Sequence, residues 1–118
     1  MPSDDFDSPM KVAYVAGPYR SRLGAWGVKC NIDAAMAVAR ELWMKGYVVI
    51  CPHGNTAFMD GTDTDHVFLL GDLEILRRCD LLVALPGYQS STGAVAEVEF
   101  ARERSIPVYE WPEVPDAR

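Results

Sequence analysis

Hydrophobic positions along the chain fall into two patterns. Four short runs are apolar without alternation: "KVAYVA" at 11–16, "YVVICP" at 47–52, "DLLVALPG" at 80–87 and "IPVYEW" at 106–111. Runs of this length that lack a polar face predict strands buried on both sides, hence a parallel sheet covered by helices. Between them the period changes. In "NIDAAMAVARELWMK", 31–45, Ile32, Ala35, Met36, Ala39, Leu42 and Trp43 recur at helical spacing, and Gly46 follows as a C-cap. A second helix is expected over 66–79, where Leu69, Leu70, Leu73 and Leu76 form a stripe, and a third over 91–105. The polar stretch "HGNTAFMDGTDTD" reads as a loop. The order β-α-β-α-β-α-β predicts an α/β fold, a small flavodoxin-like or Rossmann-like three-layer sandwich on a parallel sheet of four to five strands. Ligands of such sheets bind beyond the carboxyl ends of the strands, where strand order reverses. That rule directs attention to "GPYRSR", "PHGNTAFMDG" and "PGYQSSTG".

Composition narrows the class. With 118 residues, 49% hydrophobic and 24% charged, the chain is expected to form one domain over 11–110, after a frayed acidic tail (1–10) and before a C-terminal tail (111–118). No apolar stretch reaches the ~18 residues of a membrane helix, and "MPSDDFDSPM" lacks a basic leader with an apolar core, so a cytoplasmic protein without a signal peptide is expected. Cys30, Cys51 and Cys79 are odd in number and lack CxxC spacing, which suggests reduced thiols. A net charge of -6 disfavours a nucleic-acid duplex as partner, so an anionic ligand must be small and held locally.

Local chemistry sits at the expected strand ends. In "AGPYRSR", Gly17 permits close approach, Tyr19 can stack on a flat ring and Arg20 can bind a phosphate. A plain exposed turn with a solvated arginine fits the same residues. No GxxxxGK[ST] and no GxGxxG is present, which excludes a P-loop and a dinucleotide fingerprint. In "SSTGAVAE", a hydroxyl residue caps a helix and Gly93 opens its first amides to an anion. Glu97 follows on the Gly93 side, and the helix dipole is expected to keep it ionised, suited to a nucleophile or base. Simple complementarity to the dipole explains it equally well. Asp72 lies beside the leucine stripe of the second helix, either as a second functional carboxylate or as a surface group paired with nearby arginines. Asp80 reads as structural. The acids Asp60, Asp63 and Asp65 with His53 and His66 match no EF-hand or HExxH spacing, and no metal is expected. Two carboxylates at a phosphate-binding edge are the parts of a glycosidic-bond enzyme.

Three blocks, "YVAGPYR" (14–20), "GDLEILRRCDLLVAL" (71–85) and "SSTGAVAEVEFA" (90–101), resemble in order and spacing the nucleoside 2-deoxyribosyltransferase superfamily. They are most similar to its 2'-deoxynucleoside 5'-monophosphate N-glycosidase branch. The resemblance implies that Tyr14 and Gly17 line the pocket, that Asp72 assists the leaving base and that Glu97 attacks the anomeric carbon. Six residues before the nucleophile, transferases of this superfamily carry an aspartate for the sugar 5'-hydroxyl and the nucleotide hydrolases a serine for the 5'-phosphate; here it is Ser91. Arg20 matches the first-loop arginine of the hydrolases.

Two positions depart from the hydrolase pattern. Pro18 stands where a serine is common after the first glycine, and Val95 where a second glycine precedes the nucleophile, so a phosphate cradle different in detail is implied. "CPHGNTAFMDG" resembles neither branch; base identity is expected to be decided there, with His53 and Asn55 as candidates. The implied activity is cleavage of the base–sugar bond of a (deoxy)nucleoside 5'-monophosphate without a cofactor, with Ser91, Gly93 and Arg20 on the phosphate. Base exchange between nucleosides and a non-catalytic nucleotide sensor are the alternatives. A homodimer or larger homo-oligomer is the implied assembly. Trp26, Trp43 and Phe68 are candidates for its surface, with core packing the default for each.

Overall fold

The structure is a computed structural model that describes residues 9–55 and 65–117. Four strands, β1 (Val12–Ala16), β2 (Val48–Ile50), β3 (Leu81–Ala84) and β4 (Val108–Glu110), pair in the order β2-β1-β3-β4. Every pairing is parallel: Tyr14 lies opposite Ile50 and Leu82, and Val83 opposite Tyr109. The helices are α1 (Ala25–Met44), the short α2 (Pro52–Asn55), α3 (Asp65–Arg77) and α4 (Thr92–Glu103). This is the doubly wound three-layer sandwich expected of strands with no polar face.

Alternate residues of the sheet face different helices. Ala13, Val15, Val49 and Val83 pack with Ala35, Ala39 and Leu42 of α1. Tyr14, Ala16, Leu82 and Ala84 pack with Leu76 of α3 and Ala94 and Val98 of α4 on the other face. Chain order reverses at β1, because β2 lies on one side of it and β3 on the other. The crevice beyond the ends of β1 and β3 is therefore where a ligand belongs.

Several elements differ from the sequence-based expectation. Helix α1 starts at Ala25, six residues before the expected Asn31, with Gly27 inside it. A Cβ on Gly27 would come within 1.9 Å of Ser21 Oγ, so this glycine admits the preceding loop against the helix. At the far end, Gly46 at φ 98 closes a Schellman turn, with the Tyr47 amide donating to Leu42 O and the Gly46 amide to Trp43 O. Residues 111–117, expected as a tail, instead close the α1 face. Val114 is buried, the Tyr47 hydroxyl donates to Pro115 O at 2.7 Å, and the Ala117 amide donates to Lys45 O. Trp26 and Trp43, for which core packing is the default and an assembly surface the alternative, are 67% and 52% exposed, since it is the Ala35, Ala39 and Leu42 side of α1 that meets the sheet. Asp80 is structural as read: its carboxylate accepts from the Val12 amide at 2.7 Å and its amide donates to Val12 O, which ties β3 to the start of β1.

Gly17 shows why the β1 end is built from glycine. Its amino-acid neighbours leave no room for a side chain: a Cβ there would lie 2.4 Å from Leu85 Cδ1 and 2.9 Å from Leu85 Cβ. The close approach is to Leu85, just after β3. Gly17→Ala is expected to destabilise the fold by about 1–3 kcal/mol through overpacking, read as a lowered urea midpoint at unchanged slope.

Candidate active site

A cavity of about 510 Å³ opens at the predicted crevice, within the range of small-molecule sites. Each of the three strand ends contributes: Gly17, Tyr19 and Arg20 after β1, Pro52 and His53 after β2, and Ser90 to Ala94, Ala96 and Glu97 after β3. Helix α3 adds Phe68, Leu69 and Asp72 from the side. Residues 56–64 of the intervening loop, with Asp60 and Asp63, lie outside the described structure, as do the side chains of Asp65 and Asn55.

Helix α4 places the anion-binding groups and one carboxylate. Ser91 is its N-cap, in extended conformation, and Ser91 Oγ accepts from the Ala94 amide at 3.2 Å. One hydroxyl proton remains for donation outward, and the amides of Thr92 and Gly93 have no acceptor within the helix. The space where a Gly93 Cβ would sit is open, with no atom of the described residues within 4 Å. This opening distinguishes Gly93 from Gly17. Glu97 lies at the sixth helical position, beyond the turn over which the dipole acts, and is 7% exposed.

Tyr14 is fully buried on β1 and does not line the cavity; it supports Glu97 from behind. Its hydroxyl donates a hydrogen bond to Glu97 Oε2. Burial holds the Tyr14 hydroxyl far above its ordinary range, and the negative charge of Glu97 adds to this, so it stays a donor. For Glu97, burial pushes the carboxyl up to about 8; the Tyr14 hydrogen bond opposes the rise and the Asp72 charge adds to it. The expected ionised carboxylate is thus corrected. A dipole contributes ~0.3–1 kcal/mol near a helix end, less than the desolvation of a buried charge.

Asp72 is half-buried at the cavity and desolvation raises it to about 6. The nearby arginines are engaged elsewhere: Arg77 and Arg78 both bind Glu74, at 2.5 and 2.9 Å, on the exposed face of α3. Two carboxyl groups with separated affinities therefore share one cavity, with a single proton between them from about pH 6 to 8.

His53 was expected to contact substrate. Its ring borders the cavity at 5% exposure and meets Tyr19 with centroids 5.8 Å apart, yet its Nε2 donates to Pro18 O at 2.8 Å and its buried Nδ1 has no hydrogen-bond partner among the described residues. Burial lowers its affinity for a proton, so the ring is neutral. Phe68 lines the cavity, a role the sequence pattern did not assign to it. Among the described residues no three His, Cys, Asp or Glu side chains gather as metal ligands, and no helix is long and apolar enough to cross a membrane.

The fold and the cavity define a small doubly wound α/β protein with a paired-carboxylate site at its switch point. The chain belongs to the family described as domain of unknown function DUF7768, whose model matches residues 11–111. Two solved structures share the fold. A conserved protein from Enterococcus faecalis V583 aligns at TM-score 0.68 and 24% identity over 86% of this chain; this chain spans 63% of that one. A 2-deoxyribosyltransferase from the psychrotolerant bacterium Bacillus psychrosaccharolyticus aligns at TM-score 0.59 and 19% identity, over 84% of this chain and 70% of that one. No curated protein matches by sequence.

Proposed function

We propose that this protein is an N-glycosidase that releases the base from a (deoxy)nucleoside 5'-monophosphate. The observation that carries the reading is the buried Glu97, held by the Tyr14 hydroxyl and sharing a cavity with Asp72. The three sequence blocks and the likeness in fold to a 2-deoxyribosyltransferase support it.

In this scheme substrate binding moves the shared proton from Glu97, which holds it in the free protein, to Asp72, and one carboxylate oxygen of the ionised Glu97 then bonds to C1' as the C1'–N bond breaks. The bonding electrons leave with the base, which takes a proton from the Asp72 carboxyl. Asp72, now ionised, removes a proton from water as its oxygen attacks C1', and the ester to Glu97 opens. The sugar phosphate departs and both carboxyl groups return to their starting forms. Arg20, the Ser91 hydroxyl and the free amides at Thr92 and Gly93 hold the 5'-phosphate, whose binding energy fixes C1' against Glu97. Tyr19 covers the base or sugar. The likeness to a 2-deoxyribosyltransferase favours one second reading, in which another base and not water captures the glycosyl-enzyme.

The test is incubation of the purified protein with a panel of nucleoside 5'-monophosphates and the parent nucleosides, with free base read by chromatography. Base release from monophosphates is expected, and added free base should not redirect the sugar into a new nucleoside. Release from nucleosides alone, or from no substrate, rejects the proposal. Gly93→Ala refines the test. Its added methyl meets no atom of the described residues, so folding is expected to be unaffected or improved by a few tenths of a kcal/mol. A phosphate on the adjacent amides would meet that methyl, and kcat/KM for the monophosphate is expected to fall about tenfold or more, equivalent to ~1.4 kcal/mol, with the nucleoside unaffected.

A further inference from the structure

The segment from Gly17 to Gly24 links β1 to α1 without strand or helix, yet it carries Tyr19 and Arg20 to the cavity. A loop of this kind must find partners for its own carbonyls. Three consecutive carbonyls in it receive side-chain donors from two other elements. His53 of α2 donates from Nε2 to Pro18 O at 2.8 Å, and Asn31 of α1 donates from Nδ2 to Tyr19 O at 2.9 Å and to Arg20 O at 3.4 Å. Ser21 then packs against Gly27 of α1, its Oγ accepting from the Leu23 amide at 3.1 Å and its carbonyl from the Gly24 amide.

Both nitrogens of His53 are closed to a ligand, one by its bond to Pro18 and the other by complete burial. A carbonyl can only accept, so the proton resides on Nε2. Asn31 stands on the second turn of α1, and among the described residues its side chain bonds to this loop alone. We propose that Asn31 and His53 are positioning residues: they clamp Pro18, Tyr19 and Arg20 from opposite ends so that the stacking ring and the guanidinium are presented before any ligand arrives. A preformed loop avoids the cost of ordering on binding. That Arg20 meets a phosphate rests on the nucleotide reading above; the clamp itself does not.

Two variants isolate the clamp. Asn31→Asp keeps shape and removes the donor, and His53→Phe keeps a ring against Tyr19 and removes the donor; His53→Gln restores an N–H. Hydrogen exchange and calorimetric titration with a nucleoside 5'-monophosphate are read on each. Amides of 19–23 are expected to exchange about tenfold faster in Asn31→Asp and in His53→Phe, with β1 and β3 unchanged and with His53→Gln closer to wild type. Monophosphate affinity is expected to fall about tenfold in the first two variants, but less than threefold when Arg20→Ala is already present, as coupled residues require. Unchanged loop exchange, acceleration spread equally over β1 and β3, or a full tenfold loss in the Arg20→Ala background overturns the proposal. If the wild type binds no monophosphate, the nucleotide reading fails while loop exchange still decides the clamp: faster exchange confined to 19–23 supports it and unchanged exchange overturns it.

Discussion

Glu97→Gln is expected to lose base release by at least ~10³-fold, about 4 kcal/mol of barrier, while retaining ligand binding and gaining stability above neutral pH. The amide oxygen still accepts from the Tyr14 hydroxyl, so the pocket keeps its shape, but an amide cannot supply the attacking oxygen. The stability gain follows from proton linkage. The Glu97 carboxyl stands at about 8 in the folded protein against an ordinary 4.5. A raised folded value means that the native state holds the proton more tightly. Its stabilising contribution is complete below about pH 4.5 and is lost progressively as pH rises through 8. Glutamine has no proton to lose. The variant should match the wild type near pH 4 and exceed it at pH 8 by on the order of 2 kcal/mol or more, seen as a melting temperature higher by roughly 5 °C or more. Thermal melts at both pH values test the linkage, and turnover tests the nucleophile. A variant that keeps full turnover removes Glu97 from the chemistry. A variant of equal stability at both pH values shows that Glu97 is not buried as a neutral acid.

Asp72→Asn is expected to reduce kcat/KM by about 10²-fold or more, the usual contribution of a positioned acid, and to change the shape of the pH profile. The scheme needs one ionised carboxyl and one protonated carboxyl. Wild-type kcat/KM should therefore pass through a maximum between about pH 6 and 8, falling in acid when both groups hold protons and in base when neither does. Without Asp72, Glu97 alone titrates. The residual rate should rise with pH and then level, with no fall on the alkaline side. The rise should also come at lower pH than about 8, because the Asp72 charge is one of the causes that raise Glu97. Initial rates from pH 5 to 9.5 in both proteins read this directly. A bell retained in Asp72→Asn assigns the acid to another group.

The two predictions rest on different levels of information. Asp72 and Glu97 were nameable from the chain because each belongs to a short block of fixed spacing, and the crevice was nameable because continuous apolar strands imply a parallel sheet with sites at its carboxyl ends. Their protonation was not nameable. Tyr14 and Glu97 are 83 residues apart in sequence, and nothing local to "STGAVAE" records that a tyrosine on β1 seals one side of the carboxyl from water. The local dipole argument pointed to an ionised glutamate because burial, the larger effect, is a property of the packed molecule.

The sequence by itself determined the elements whose signal is local: the apolar strands, the helical stripe of α1, the Gly46 stop, the Ser91 cap and the pair of carboxylates. These follow from periodicity, backbone preference and short-range hydrogen bonds. The tertiary structure alone decided the order β2-β1-β3-β4, the exposure of Trp26 and Trp43 and the docking of residues 111–117. It also decided that Gly17 answers to Leu85, that Gly93 faces open space, and that His53 and Asn31 hold a loop. Each of these depends on which distant atoms share a volume, and one chain written in a line does not contain that distance.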